Sequence, residues 1–356
     1  MLHAIIMAGG AGTRFWPASR ADTPKQMLPL VGDKTMIRQT VDRLAGLVGP
    51  EQTLVVTNER LVDAIVKQLP ELPTASIVGE PCKRDTAPCI GLAALLVCRD
   101  DPEATMAVMP ADHVIQATDR FQAALRQAAA MIEREPEQIV TFGIRPSYAA
   151  EIFGYIQRGD ALEDKASYRV KQFREKPDAA TAGEYLASGD YYWNSGIFVW
   201  RAKTILDALA ERQPETLARL KSIVDDWGSD RQHEVFTREF TAIEGISIDY
   251  AVMEHATNVA VIEAPFDWDD LGGWQSLTRL LGTDDDKNTI VGKHLGLKTK
   301  GTIVRTDDQH LVVTLGLEDM IVVHTPDATL VANKRDEESI RRIVKEIEAK
   351  GWKDYL

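Results

Sequence analysis

The chain has 356 residues, 44% of them hydrophobic and 27% charged, with 24 Gly, 16 Pro and 3 Cys. That is enough for one large or two ordinary domains with a buried core, and it excludes a collagen-like or disordered chain. The formal net charge of -13 repels polyanions, so we expect no nucleic-acid partner. Residues 1–38 nevertheless carry five basic side chains against two acidic ones, a local charge of +3, which points to a small anion bound there.

Apolar stretches are too short for a membrane helix. The first breaks at Gly9, and the longest later run, 90–98, falls well short of the ~18 residues that a span needs. We therefore expect a soluble, cytoplasmic protein with no membrane partner. Cys82, Cys89 and Cys98 lack the paired spacing of a zinc site, so reduced thiols are expected, with a metal or redox role as the alternative.

Short β-branched runs alternate with longer amphipathic stretches from residue 3 onward. The predicted strands are 3–7, 53–57, 75–78, 105–109 and 138–142, and the predicted helices are 35–47, 60–69, 87–99 and 121–132. This alternation indicates a Rossmann-like α/β fold whose mixed, mostly parallel sheet carries helices on both faces. Ligands of such sheets bind at the carboxyl ends of the strands, so chemistry is expected in the loops after Met7, Val78 and Met109.

After Gly143 the pattern continues with shorter elements. The predicted strands are 155–158, 170–173, 195–200 and 259–262, and the helical runs lie around 179–187 and 203–255. The polar, turn-rich stretch at 283–288 is the predicted boundary between a larger domain, 1–282, and a small module, 283–356.

The module at 283–356 shows very short β runs at spacings near ten residues. They are 289–291, 302–305, 311–314, 321–324 and 329–332. They predict a β-solenoid-like module, with a short left-handed β-helix as one form of it. A last helix follows, with Asp336 as its predicted N-cap and an apolar stripe that packs on its own domain or, alternatively, on a second subunit. The stripe consists of Ile340, Ile343, Val344 and Ile347.

The loop after the first strand contains three glycines, Gly9, Gly10 and Gly12. They allow close approach of the backbone, so that N–H groups could point at phosphate oxygens; an ordinary tight turn is the alternative. The spacing is neither that of the Walker motif nor GxGxxG. Arg14 and Lys25 add two permanent cations, which suit a polyphosphate unless they are solvated surface charges.

Acidic residues mark two further places. Asp112 follows the strand at 105–109 and is placed either to hold Mg²⁺ together with substrate oxygens or to serve as a turn residue. Asp267, Asp269 and Asp270 lie among aromatics and glycines, where burial is costly without a cation; an exposed acidic turn is the alternative.

Two strand-end clusters carry mixed polar groups. Residues 173–177, FREKP, place an anion beside a cation, and residues 192–198, YWNSGIF, offer amide and hydroxyl groups in an aromatic frame, as a sugar pocket would. Ordinary strand-end structure is the alternative for both clusters.

Together and in this order, these segments resemble the sugar-1-phosphate nucleotidyltransferases, most closely the bacterial mannose-1-phosphate guanylyltransferases. The matching motifs spread over almost the whole chain in family order. They are AGGAGTRFWPASRADTPKQ (8–26), GEPCKRDTAP (79–88), MPADH (109–113), FREKP (173–177), NSGIF (194–198), SIDYAVME (247–254) and FDWDDLGGW (266–274).

The resemblance implies a Mg²⁺-dependent reaction in which mannose 1-phosphate and GTP give GDP-mannose and pyrophosphate. The sugar phosphate oxygen attacks the α-phosphorus in line, so no covalent enzyme intermediate is needed. Three alternatives are another sugar 1-phosphate as substrate, a non-catalytic regulatory subunit that binds nucleotide sugars, and a Rossmann dehydrogenase. A homodimer is left open.

The resemblance also implies roles for individual residues. Arg14 would hold the β- and γ-phosphates, Lys25 would neutralise the transferring phosphate, and Asp112 and Asp270 would hold Mg²⁺, with Lys176 on the sugar phosphate. The implied nucleotide-binding residues are Ala8, Gly9, Gly10, Gly12, Thr13, Arg14, Lys25, Glu80, Arg84, Thr86 and Asp112. The implied sugar-binding residues are Gly154, Glu175, Lys176, Asn194, Asp249 and Asp267.

The choice of base can be argued from chemistry. Guanine presents N1–H and N2–H₂ as adjacent donors that the carboxylate of Glu80, at a strand end, could accept, and Arg84 could reach O6. Two positions depart from the family pattern. Asp85 stands where we expect Asn, and residues 149–153 stand where we expect a glycine-rich stretch.

Overall fold

The computed structural model describes residues 1–10, 12–162 and 166–356. Its strands are β1 Leu2–Ala8, β2 Thr53–Asn58, β3 Ile77–Glu80, β4 Thr105–Pro110, β5 Ile139–Ile144, β6 Tyr155–Ala161, β7 Ser167–Arg174, β8 Tyr191–Arg201, β9 Val259–Glu263, β10 Thr289–Val291, β11 His294–Leu297, β12 Ile303–Arg305, β13 Val312–Leu315, β14 Met320–His324 and β15 Thr329–Asn333. Its helices are α1 Met36–Asp42, α2 Val62–Gln68, α3 Thr86–Asp100, α4 Thr118–Arg134, α5 Ala179–Ser188, α6 Ala202–Arg212, α7 Pro214–Asp225, α8 Gln232–Thr241, α9 Ser276–Leu281 and α10 Ile340–Ala349.

These elements form two compact units that are interleaved along the sequence. Unit 1 contains Met1–Gly9, Val41–Ala111 and Ile115–Trp268. Unit 2 contains Gly10–Thr40, Asp112–Val114 and Asp269–Leu356. The predicted domain boundary at residue 283 rests on the polar, turn-rich composition of the sequence there. It stays a prediction.

Unit 1 is built on one mixed sheet in the order β3-β2-β1-β4-β8-β5-β9-β7-β6. The α/β fold is confirmed. Parallel pairing holds for β3-β2-β1-β4 and for β5 with β9, whereas β8 runs antiparallel to β4 and β5, and β6 pairs antiparallel with β7. The predicted excess of parallel pairing therefore holds for β3-β2-β1-β4, whereas in the rest of the described sheet antiparallel pairs outnumber the parallel pair of β5 with β9. Antiparallel neighbours can be joined by a short connection without a crossover helix.

Both faces of this sheet are covered. Ile5 belongs to one buried apolar cluster with Ala93 of α3 and Ile205 of α6, and its neighbour Ile6, which points to the opposite face, is also 0% exposed. Adjacent residues of a strand alternate between faces, so burial of both requires a layer on each side.

Unit 2 contains a small β-solenoid. β10, β12 and β14 stack in parallel, with Thr289, Ile303 and Ile321 in register, and β15 adds an antiparallel strand. β11 and β13 form a second parallel pair. The solenoid-like module is confirmed. The sequence did not predict β11, because a glycine and a histidine interrupt the short apolar run at 294–297.

The last helix begins later than its sequence pattern predicted. α10 starts at Ile340 after a 3₁₀ turn at 334–339, and the side chain that caps this turn is that of Asn333, which accepts from the Arg335 N–H at 2.9 Å. The predicted N-cap at Asp336 was therefore wrong: Asp336 lies within the turn. Ile340 and Ile347 are buried in the apolar cluster of unit 2, so this part of the stripe packs on its own unit.

Two expectations about the chain as a whole have structural counterparts. Within the described residues, no helix has the length and apolar character to cross a membrane. Cys82, Cys89 and Cys98 form no disulfide within the described residues.

Candidate functional site

The loop that opens unit 2 is shaped by Gly12, which lies at φ 60°. A Cβ at this position would lie 2.3 Å from the Cβ of Lys25, so only glycine fits both the conformation and the space. The Gly12 carbonyl accepts from the Phe15 N–H at 2.9 Å and from the Ser19 hydroxyl at 2.8 Å. Lys25 is thereby packed against the loop. Ala11, which belongs to the predicted phosphate loop, lies outside the described residues.

Lys25 is the centre of the polar cluster in unit 2. Its side chain is 7% exposed, and Nζ donates to Asp112 Oδ2 at 2.8 Å and to the Asp270 carbonyl at 2.6 Å. Burial alone would raise the pKa of Asp112, but Lys25 and His113 outweigh it and hold that pKa below its usual range. Three of the predicted site residues are thus brought together within one unit.

The three acids of the FDWDDLGGW segment have different partners. Asp267, in unit 1, accepts from the N–H groups of Gln116 and Ala117 at 2.9 Å each, just before α4 begins. Asp269, in unit 2, pairs with Arg279 and accepts from the Leu271 N–H at 2.8 Å. The predicted sugar contact of Asp267 has no support in this placement, because both of its oxygens are engaged by backbone amides.

Asp270 is left with a carboxylate that accepts no hydrogen bond from the described part of the chain. Burial raises the pKa of this group to about 6, against the attraction of Lys25, and the charges of Asp269 and Asp112 add to the increase. Within residues 1–10, 12–162 and 166–356 no cluster of three or more His, Cys, Asp or Glu forms a metal site. Mg²⁺ commonly takes only one or two carboxylates plus substrate oxygens, so Asp112 and Asp270 fit such an ion.

Arg14 lies in the same unit and is held at two points. Its Nε is 3.0 Å from Glu338 Oε1, and its Nη1 donates to the Gly272 carbonyl at 3.3 Å. The next residue back, Thr13, begins the 3₁₀ turn at 13–15. The predicted phosphate-binding arginine therefore has Nε and Nη1 of its guanidinium already engaged.

In unit 1, Glu80 ends β3 with a side chain that is almost fully buried. Its Oε1 has no hydrogen-bond partner among the described residues. Burial raises the pKa of Glu80 to about 8, and a hydrogen bond with Cys89 opposes the increase only in part. A buried carboxyl oxygen without a partner can accept from a ligand. A Cβ at Gly9 would lie 3.9 Å from Glu80 Oε2, so two predicted nucleotide-binding residues are neighbours here.

The remaining predicted nucleotide residues of unit 1 have structural partners. Arg84 donates from Nη1 to the Lys83 carbonyl and from Nη2 to the Thr241 carbonyl at the end of α8, an orientation that does not favour a contact with guanine O6. The Thr86 hydroxyl accepts from the Ile248 N–H at 2.8 Å. Ala8, at the end of β1, uses its carbonyl to accept from the Thr57 hydroxyl at 3.1 Å.

Asp85, at φ 68°, caps α3 by accepting from the Thr86 N–H at 2.9 Å, a contact that the oxygen of the expected Asn could make equally. The structure does not explain the departure from Asn. Two residues of the 149–153 stretch are packed. Ala150 and Phe153 are buried in an apolar cluster with Tyr155 and Trp193.

Five of the six predicted sugar residues are linked in unit 1. Lys176 Nζ is 2.7 Å from Glu175 Oε1, and Asn194 donates from its backbone to the Gly154 carbonyl at 2.8 Å and from Nδ2 to Asp249 Oδ1 at 3.0 Å. A Cβ at Gly154 would lie 2.5 Å from Glu175 Oε2. Burial and the charge of Glu175 raise the pKa of Asp249 to about 7, against the attraction of Lys176.

Sequence reasoning missed one member of this cluster. Glu254 accepts from the Glu175 N–H at 3.0 Å and so fixes the turn that carries Glu175 and Lys176, the latter at φ 44°. Glu254 stands at the end of the quoted SIDYAVME motif, but its side chain was given no role. Its spacing from residues 173–177 carries no pattern that could have indicated the contact.

Comparison with known proteins shows which family this chain belongs to. A family model described as nucleotidyl transferase matches residues 3–286. The chain belongs to the nucleotidyl transferase family. A second model, described as a MannoseP isomerase/GMP-like beta-helix domain, matches residues 292–347, where the solenoid lies.

Individual members of the family show which proteins this chain is similar to. This nucleotidyl transferase is 39% identical to the mannose-1-phosphate guanylyltransferase of Escherichia coli K12, covering 99% of this chain and 75% of that protein. The resemblance stated from the motifs is thus confirmed. Among solved structures, mannose-1-phosphate geranyltransferase from Thermus thermophilus matches with a TM-score of 0.87 and 34% identity over 98% of this chain and 99% of that one. Mannose-6-phosphate isomerase from Helicobacter pylori matches with a TM-score of 0.63 and 28% identity over 75% of this chain and 99% of that one.

Proposed function

We propose that this nucleotidyl transferase transfers GMP from GTP to α-D-mannose 1-phosphate, giving GDP-mannose and pyrophosphate. The observation that carries the proposal is the contact of the buried Lys25 ammonium with both the Asp112 carboxylate and the Asp270 carbonyl. A fixed cation beside two acids suits a reaction whose transition state carries charge on phosphoryl oxygens.

Bond changes in the proposed reaction are simple. An oxygen of mannose 1-phosphate bonds to the α-phosphorus of GTP, and the bond from that phosphorus to the bridging oxygen of pyrophosphate breaks. The positive charge of Lys25 stabilises the transferring phosphoryl group, and Arg14 binds the phosphates that leave. No side chain needs to form a covalent intermediate, so the residues act by positioning and by charge.

Asp112 and Asp270 are proposed to hold Mg²⁺. When bound, the ion would neutralise phosphate charge and polarise the phosphoryl oxygens. The structural support is the Asp270 carboxylate, which is raised in pKa and has no donor within the described residues. Lys25 holds Asp112 in a fixed orientation for this role.

Guanine and mannose are proposed to be recognised by unit 1. Glu80 would accept from guanine N1–H and N2–H₂ through carboxyl oxygens, one of which lacks a partner within the described chain. Glu175, Asn194 and Gly154 would hydrogen-bond sugar hydroxyls, with Lys176 on the sugar phosphate and Asp249 supporting Asn194.

The test is pyrophosphate release from GTP, ATP, UTP and dTTP, each paired with mannose 1-phosphate, glucose 1-phosphate and N-acetylglucosamine 1-phosphate. We expect turnover with GTP and mannose 1-phosphate that EDTA abolishes and Mg²⁺ restores. A preference for dTTP or UTP would contradict the role of Glu80, and a preference for another sugar phosphate would contradict the proposed acceptor.

The pH dependence of GTP binding should follow the ionisation of Glu80. Because the pKa of Glu80 is raised to about 8, the carboxyl is mostly protonated at neutral pH and must lose a proton to accept both guanine donors. We expect the KM for GTP to fall roughly 25-fold as the pH rises from about 6.5 to about 8.5, and Glu80→Gln to remove that dependence. Steady-state kinetics with Glu51→Gln, a change at an exposed glutamate, as control checks this.

Stability gives a second measurement of the same group. The folded pKa of Glu80 lies above the unfolded value, so the folded chain binds more protons between about pH 4.5 and about pH 8. The free energy of unfolding therefore falls as the pH rises through that window, and Glu80→Gln should reduce the fall. An unchanged pH profile of unfolding in Glu80→Gln would contradict the raised pKa.

Gly154→Ala should raise the KM for mannose 1-phosphate at least tenfold, with little change in the KM for GTP. The added Cβ would lie 2.5 Å from Glu175 Oε2 and must displace that carboxylate. Gly183→Ala is a matched control, because a Cβ on this residue of α5 meets nothing within 4 Å. Equal KM values for Gly154→Ala and wild type would remove Glu175 from the sugar site.

A further inference from the structure

A carboxylate from the carboxyl-terminal part of unit 2 contacts the arginine of the phosphate loop. Glu338 Oε1 is 3.0 Å from Arg14 Nε, although the two residues are 324 positions apart. The Arg14 side chain is 19% exposed, whereas that of Glu338 is 68% exposed. Glu338 belongs to none of the motifs that the sequence offered as functional.

The turn that carries Glu338 is anchored on both sides. The Asn333 side chain accepts from the Arg335 N–H at 2.9 Å at one end, and Ile340 is 0% exposed at the other. Within the turn, Glu337 accepts from the backbone and side-chain amides of Gln275, each at 2.9 Å. The position of Glu338 is thus set by the fold of unit 2 and not by the salt bridge alone.

The two contacts of Arg14 leave a defined part of the guanidinium free. Nε faces Glu338 and Nη1 donates to the Gly272 carbonyl, while Nη2 donates to no atom in the described residues. A guanidinium is planar and rigid, so two contacts, one at Nε and one at Nη1, fix the plane of the group and the direction of its remaining N–H groups. Those groups are the ones left for phosphate oxygens.

We propose that Glu338 is a positioning residue that orients Arg14 for the phosphates of the nucleotide. The proposal rests on the proposed function, in which Arg14 binds the leaving phosphates of GTP. Glu338 itself touches no substrate and acts through Arg14. The turn at 334–339 therefore contributes to nucleotide affinity.

Glu338→Ala should raise the KM for GTP roughly five- to tenfold, with little change in the KM for mannose 1-phosphate. Glu338→Gln should lie between this variant and wild type, because its amide oxygen can still accept from Nε. Glu348→Ala is the matched control, since it removes the same charge from an exposed position on α10 and should leave both KM values unchanged. Thermal unfolding of each variant shows whether the fold is kept.

A double-mutant cycle decides whether Glu338 acts through Arg14. In an Arg14→Ala background, Glu338→Ala should have no further effect on the KM for GTP. The proposal would be overturned if Glu338→Ala raised the KM for GTP equally in both backgrounds, or if it left that KM unchanged. A fall in the KM would also overturn it, because Glu338 would then compete with phosphate for Arg14. Titration calorimetry measures the affinity for GTP and gives the same comparison without turnover. If the wild-type chain showed no guanylyl transfer, the proposed function would be contradicted, but the effect of Glu338 on GTP affinity could still be measured.

Discussion

Lys25→Met should lower kcat by about two to three orders of magnitude, because it removes the fixed positive charge that stabilises the transferring phosphoryl group. Lys25 is buried, and its Nζ has two oxygen partners in place at 2.8 and 2.6 Å, so little reorganisation is needed when charge develops. Methionine keeps the length and apolar character of the stem without the ammonium. Single-turnover measurement of pyrophosphate release would separate chemistry from product release.

The control for this substitution is Lys345→Met, an exposed lysine of α10. It changes the net charge equally and should leave kcat unchanged. Lys25→Met should also unfold at a lower temperature than wild type, because Asp112 loses the partner that holds its pKa down. If Lys25→Met changed only the KM for GTP, Lys25 would assist binding and take no part in the transition state.

Asp270→Asn should lower kcat at saturating nucleotide by at least about a hundredfold and weaken the dependence on Mg²⁺. Asparagine keeps the shape of the side chain but removes the charge that the cation needs. Because burial and neighbouring acids already disfavour the ionised carboxylate, the variant should unfold in EDTA at a temperature no lower than wild type. Turnover measured over a range of Mg²⁺ concentrations, with thermal unfolding in EDTA, checks both expectations.

The neighbouring acid provides the comparison. Asp269 is engaged by Arg279 and by the Leu271 N–H, so Asp269→Asn should lower the unfolding temperature. We therefore expect Asp270→Asn to lower turnover and Asp269→Asn to lower stability. A fall in the unfolding temperature of Asp270→Asn as large as that of Asp269→Asn would make Asp270 a structural residue.

Local patterns predicted the elements of the fold well, but not all of their pairings. Alternation of strands and helices indicated the α/β sheet, and the closely spaced runs after 283 indicated the solenoid. The antiparallel position of β8 between β4 and β5 could not be predicted, because strand direction depends on how the chain returns to the sheet. The N-cap at Asp336 failed because Asn333, three residues earlier, already caps a turn there.

The candidate site shows the same limit. Motif order pointed to Lys25 and Asp112, which the structure joins by an ion pair at 2.8 Å. The sequence could not show that Asp267 accepts from the backbone amides just before α4. An aspartate near the start of a helix and an aspartate that holds a cation are the same residue type, so the motif alone does not distinguish the two roles. The Arg14–Glu338 contact links residues 324 positions apart and has no local signal at all.

The interleaved core of unit 2 has a consequence for the order in which the chain folds during synthesis. Phe15 and Trp16 pack in one cluster with Trp274, Ile303 and Ile340. The ribosome makes Phe15 and Trp16 long before the others, so these two aromatic side chains stay uncovered until Trp274, Ile303 and Ile340 have emerged. Contacts of such sequence separation form late and leave apolar surface open to chaperones in the meantime.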